Sequence, residues 1–158
     1  DDPKRDGEIM KNFDAQKFSE RFSDEYALLI RLHPQVHTGE VDAGESAIDM
    51  TGYPDVGELV RICDLLITDY SSICMDFVLL KKPCLFYAFD LEEYERERSF
   101  FFSYEDYVPG KTAKTFDGLL DMIASEDFGK DRQEKFREFN FDVFDGKSAE
   151  RTVDAIVK

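Results

Sequence analysis

Two short stretches of the chain hold residue types suited to proton or phosphate chemistry: "RLHP", Arg31 to Pro34, and "TDYSS", Thr68 to Ser72. His33 precedes Pro34, and a residue before proline is pushed toward an extended backbone. An imidazole held there can act as a general acid or base, or donate to a phosphate, because it changes charge near neutral pH. The alternative is a structural His bonded to nearby backbone, which is the reading preferred for His37, further into the same loop. Tyr70-Ser71-Ser72 is wedged between an apolar run and an apolar helical pattern. A serine there can cap the helix by accepting from its first free N–H groups. Those same N–H groups and small hydroxyls suit a phosphate. Both readings can hold, one serine capping while the other faces a ligand. Asp69 ends the apolar run. Asp76 falls four residues after Ser72, one turn along the same helical face. It could bond a ribose hydroxyl, brace the serine turn or be plainly solvated. Among the basic residues able to offset a diphosphate, Arg98, set among aromatics, is the first to test, and Arg31 stands beside His33.

Other chemistries are excluded by what the chain lacks. No glycine-rich loop forms a Walker A motif or a dinucleotide fingerprint. No His or carboxylate cluster has metal-ligand spacing, so no metal and no cofactor are expected. Cys63, Cys74 and Cys84 lie in apolar contexts at no metal-binding spacing, as buried reduced thiols do.

These residues must be delivered by regular elements. The run Tyr26 to Leu32 is almost continuously apolar and stops at Pro34, which suits a strand covered on both faces. Ala47 to Thr51 reads as a weaker strand. Pro54–Asp55 opens a helix through Ile62, with Leu59 and Ile62 expected to face inward. "DLLIT" is a third strand, Ser72 to Leu80 a helix with Ile73, Phe77 and Leu80 on one face, and "PCLFYAF" a fourth strand. This alternation predicts a parallel α/β sheet wound in Rossmann style, with helices on its flanks. In such sheets ligands bind beyond the carboxyl ends of the strands, where "RLHPQVH", "DMTGYPD" and "TDYSS" all fall. The segment after Asp90 reads as charged, aromatic and partly irregular. Three helices are expected to follow: Phe116 to Ala124, Asp131 to Phe139, and Ser148 to Val157, the last with an apolar stripe aimed at the core.

The whole chain sets bounds. Its 158 residues favour one domain, and residues 1–13 read as a polar loop at its edge. Starting at Asp1, it is expected to be a piece of a longer protein. With 35 Asp and Glu against 20 Lys and Arg, the net charge is −15, which argues against nucleic acid or anionic lipid as a partner of this part.

Taken together, "LLIRLHP", "GYPDVGELVRICDLLITDYSSICMDFVLLKKPCLFYAFDLEEYERERSFFF", "VPG" and "FDGKSAER" resemble the C-terminal half of the CDP-glycerol glycerophosphotransferases, the teichoic acid polymerases and primases. The resemblance runs from about Tyr26 to Val157. It implies the C-terminal, nucleotide-binding half of a GT-B glycosyltransferase-like fold, with the active site between two Rossmann-like domains. It also implies transfer of glycerol phosphate from CDP-glycerol to a membrane-linked poly(glycerol phosphate) chain, with release of CMP; relatives use CDP-ribitol. The acceptor and a second catalytic His would belong to an N-terminal domain. The whole enzyme would sit in the cytoplasm, peripheral on the inner face of the membrane and touching it through regions outside this chain. By position, His33 matches an essential His; Ser71 and Ser72, with Arg98, are expected at the donor phosphates. Arg31, Asp69, Tyr70 and Asp76 match supporting positions. Two positions depart from the family pattern. Ser99 replaces a usual Gly after Arg98, and Ser148-Ala149 replaces Ala-Ser before Glu150.

Overall fold

The computed structural model describes residues 11–32 and 46–157. The element order is α1 (Ala15–Phe22), β1 (Leu29–Ile30), β2 (Ile48–Asp49), α2 (Val56–Ile62), β3 (Leu66–Thr68), α3 (Ile73–Leu79), β4 (Cys84–Tyr87), α4 (Leu91–Arg98), α5 (Tyr104–Tyr107), β5 (Lys111–Ala113), α6 (Phe116–Ala124), α7 (Lys130–Asn140) and α8 (Ser148–Val157). Among the described residues every strand pairing is parallel. The expected single sheet appears as two, β1-β2 and β3-β4-β5.

β4 is the axis of the fold. Its four residues are buried, and its side chains alternate between two clusters. Leu85 and Tyr87 join Phe18, Phe22, Leu119, Leu120 and Ile123, under α1 and α6. Cys84 and Phe86 join Val60, Cys74, Phe77, Leu91 and Tyr104, under α2, α3 and α4. Both faces of the sheet are therefore covered, as the near-continuous apolar run of "PCLFYAF" requires. Three helix starts follow ordinary capping. Asp14, Asp55 and Thr115 each accept from a first-turn N–H of α1, α2 and α6.

Several expectations need correction. Ile62 is 65% exposed, so α2 buries Leu59 and Val60 instead. Leu80 on α3's expected inner face is also exposed, while Phe77 and Val78 are fully buried. The segment after Asp90 is partly irregular, as expected, with residues 99–103 separating α4 from α5, and α4 is anchored by Leu91 and by the ring of Tyr94 although most of its face is charged. β5 has no sequence signature, being three residues at a sheet edge with little apolar surface. The stripe of α8 does not reach the core. Val153, Ile156 and Val157 are exposed and the helix has no buried residue. Its pattern defines an apolar face, and nothing among the described residues covers it. Lys11 and Asn12, expected in a loop, are helical, and the Asn12 carbonyl accepts from the Tyr87 hydroxyl at 2.9 Å.

Candidate functional site

β3 ends at Thr68, and the turn Asp69 to Ser72 stands at its carboxyl end, where parallel sheets present ligands. Both serines are exposed, and the structure separates their tasks. Ser71 Oγ accepts from the Ile73 N–H at 3.3 Å and so closes the turn. Ser72 occupies the N-cap position of α3 with φ −68° and ψ −5°, and its side chain caps nothing. An N-cap usually has extended backbone so that its oxygen can reach back to the first turn; the helical dihedrals of Ser72 prevent that. Its hydroxyl remains available to a ligand.

The two residues before the serines are fixed from elsewhere in the chain. The half-buried Tyr70 donates its hydroxyl to Asp90 Oδ1 at 2.7 Å. Its ring stacks on Tyr94 with centroids 3.7 Å apart and planes at 18°, and meets Tyr104 edge-on at 5.3 Å. The buried Tyr104 donates its hydroxyl to the Asp69 carbonyl at 2.7 Å. Burial pushes the Tyr70 phenol far above its ordinary range, and the hydrogen bond to Asp90 pushes it further. Burial does the same to Tyr104. Both phenols stay protonated and remain donors. Asp90, Tyr94 and Tyr104 were not among the residues read from the sequence as candidates. The aromatic richness of the segment was visible, but pairings across 20 and 35 positions were not.

The other candidates are distributed around this turn. Arg98 is the last residue of α4 and is exposed. Its helix is tied to the turn through the Tyr94–Tyr70 stack and the bond of Tyr70 to Asp90 at the helix start. Asp76 is exposed on α3. Arg31 follows β1; one terminal nitrogen reaches the Tyr53 carbonyl at 3.5 Å, while its buried Nε has no acceptor among the described residues. Leu32, the next residue, donates its N–H to Thr51 Oγ1 at 3.2 Å. His33 and His37 lie outside the described residues. Beside Arg31, residues Met50, Tyr53, Glu58, Leu59, Arg61 and Ile62 line an open groove of about 480 Å³. Among the described residues, no group of His, Cys, Asp or Glu is placed to hold a metal. Burial raises the Cys74 thiol to about 11 and the Cys84 thiol to about 12, so neither is a nucleophile at neutral pH.

The two departures from the family pattern have structural meaning. Ser99 takes φ 49° and ψ 144° at the C-cap of α4, a conformation that suits Gly and strains other residues. Ser99→Gly should therefore stabilise the domain by about 1 kcal/mol, the relieved strain outweighing the added freedom of the unfolded chain. A rise of about 2–4 °C in thermal midpoint is expected; no rise would show that the conformation is not strained. At the other departure, Asp145 accepts from the Lys147 N–H at 3.0 Å and from Arg151 at 2.8 and 2.9 Å. These bonds hold the Asp145 carboxyl below its usual range. Ser148 Oγ accepts from Arg151 at 3.2 Å.

Comparison with known proteins agrees with this architecture. The family described as CDP-Glycerol:Poly(glycerophosphate) glycerophosphotransferase matches residues 2–158. A teichoic acid poly(ribitol-phosphate) polymerase of Bacillus spizizenii is 35% identical over 147 residues, covering 91% of this chain and 24% of the relative. A teichoic acid poly(glycerol phosphate) polymerase of Bacillus subtilis is 34% identical over 158 residues, covering 93% of this chain and 21% of the relative. The wall teichoic acid polymerase TagF, in a His-to-Asn variant soaked with CDPG, superposes with a TM-score of 0.73 at 30% identity, over 92% of this chain and 38% of that one. The chain thus spans about a quarter of the length of the curated relatives. Its Rossmann-like α/β layers match the GT-B-like polymerase, as the motifs implied. The chain belongs to the CDP-glycerol:poly(glycerophosphate) glycerophosphotransferase family.

Proposed function

We propose that this domain binds the CDP-glycerol donor of an enzyme that adds glycerol phosphate to a membrane-linked poly(glycerol phosphate) chain. The observation that carries the reading is the serine turn at the end of β3, with one hydroxyl spent on the turn and the other exposed and unspent. A terminal glycerol hydroxyl attacks the β-phosphorus, a new P–O bond forms, the bond to the α-phosphate breaks and CMP leaves. Charge gathers on the phosphoryl oxygens and on CMP. Donors aimed at that charge lower the barrier most where they are already in place. Ser72 and Ser71 face the phosphates, a protonated His33 assists, and Arg31 and Arg98 supply positive charge in a domain of net charge −15. The base that takes the hydroxyl proton comes from outside this chain, so the domain alone binds donor weakly and turns nothing over.

Titration calorimetry of the folded domain tests this. Weak, saturable heat is expected with CDP-glycerol; none at millimolar ligand would count against the reading. A second reading, CDP-ribitol as donor, is favoured by the likeness to a ribitol-phosphate polymerase. Stronger heat with CDP-ribitol than with CDP-glycerol selects it. Preference for a UDP-sugar would reject both.

A further inference from the structure

A four-residue turn with two exposed serines has little packing of its own, and its internal Ser71 Oγ to Ile73 bond is long at 3.3 Å. Its position comes from the two residues before the serines, and both are held by one distant segment. Asp69 is held through its carbonyl by Tyr104, and Tyr70 through its hydroxyl by Asp90. The Tyr70 ring is also enclosed by Tyr94 and Tyr104, which fixes its plane as well as its tip.

Asp90 is the most informative member. It stands at the N-cap position of α4, where an Asp side chain ordinarily bonds the first free N–H groups. Here it makes no such bond, and the carboxylate is turned to Tyr70. With φ −108° and ψ 19°, its backbone lies outside the extended region that capping favours. The helix forgoes its cap while the turn gains a charge-assisted anchor, the stronger kind of hydrogen bond. We propose that Asp90 and Tyr104 are positioning residues for donor binding: they set the Asp69–Tyr70 segment, and through it the place where Ser71 and Ser72 meet a diphosphate. This builds on the donor reading above. A hydroxyl contributes to phosphate binding only when held within a fraction of an ångström of its working position. Both phenols are kept protonated by burial, so the anchors hold at any pH near neutrality.

The test uses steady-state kinetics of the full-length protein, with donor and acceptor varied separately. Tyr104→Phe removes one neutral hydrogen bond and keeps the ring; donor kcat/KM should fall about fivefold. Tyr70→Phe removes the bond to a carboxylate and should cost about tenfold. In both, acceptor KM should stay unchanged, because the change is confined to the donor's turn. Asp90→Ala should match Tyr70→Phe, and Asp90→Asn, which still offers an acceptor oxygen, should recover most of the loss. Ser71→Ala with Ser72→Ala is measured beside them. If the serine variant loses donor kcat/KM and the tyrosine variants do not, positioning is overturned and the donor site stands. If the tyrosine variants lose activity but the serine variant does not, the tyrosines act by another route and the inference also fails. If neither responds, the donor reading falls and the inference with it. Equal losses toward donor and acceptor would mark general destabilisation and overturn it too.

Discussion

Gly110→Ala should unfold the domain or leave it barely folded. A Cβ at Gly110 would lie 2.0 Å from the Cys84 carbonyl oxygen, 2.9 Å from its carbon and 3.3 Å from the Phe86 ring. The first two are backbone atoms of the central strand, and they cannot swing aside as a side-chain tip can. β5 pairs with β4 from Leu85↔Lys111 onward, so moving Gly110 away strips that ladder from its first rung. Buried Val108 and fully buried Pro109 precede it and block retreat on the other side. Overpacking of well-packed interiors typically costs 1–3 kcal/mol, and a backbone clash of this depth belongs at or beyond the top, about 3 kcal/mol or more. Natural domains have only about 5–15 kcal/mol in all. Urea unfolding followed by tyrosine emission, the chain having no Trp, reads the loss. Gly52→Ala is the control, since nothing lies within 4 Å of a Cβ there. Equal midpoints for the two variants would refute the close approach.

His33→Ala should lower turnover of the full-length protein about 100-fold or more, in the range of a general acid–base or charge-stabilising group. The residues that lead to His33 are tethered. Ile30 pairs with Asp49, the Met50 N–H bonds the Ile30 carbonyl at 2.7 Å, and Leu32 is buried and bonded to Thr51. Thr51 is itself fixed, its N–H bonding Asp49 Oδ1 at 2.8 Å. The chain thus reaches His33 from a tethered strand end, and Pro34 constrains the exit. An imidazole there works as the charged form when it meets phosphoryl oxygens. The rate should then fall as pH rises through the pKa of His33, and that limb of the profile should vanish in His33→Ala. A variant with near-normal turnover would remove His33 from the mechanism. Loss of turnover together with loss of fold would assign it a structural role instead.

What the sequence made legible follows a physical divide. β4 was readable because burial on both faces demands an unbroken apolar run, and "PCLFYAF" supplies one. α6 was readable because Leu119, Leu120 and Ile123 recur at helical spacing and are all buried. β5 was not, because an edge strand of Lys, Thr and Ala carries neither pattern. α2 and α8 show the limit of periodicity. A stripe tells which residues share a face, not whether another element arrives to cover it, and Ile62 and Ile156 are left outside. In the site, the serine turn was legible from its place between strand and helix, but the division of labour between Ser71 and Ser72 needed the dihedrals of the N-cap. The anchoring of Tyr70 and Asp69 was out of reach. Hydrogen bonds between residues far apart in the chain leave no local pattern, and nothing local marked Asp90 as a partner of Tyr70.

The alternation of β4 has a further consequence. Its side chains enter two clusters on opposite faces of the sheet, and the neighbouring β3 run divides likewise, Leu65 and Ile67 to one and Leu66 to the other. Tyr70 and Ile73 rest on the cluster of Phe86 and Phe77, whereas Phe18, Leu119 and Ile123 belong to the other. The layer under α1 and α6 reaches the serine turn indirectly, through Leu65 and Ile67 at β3. The layer under α2, α3 and α4 reaches it directly, since a change of volume there shifts the surface on which the turn is mounted.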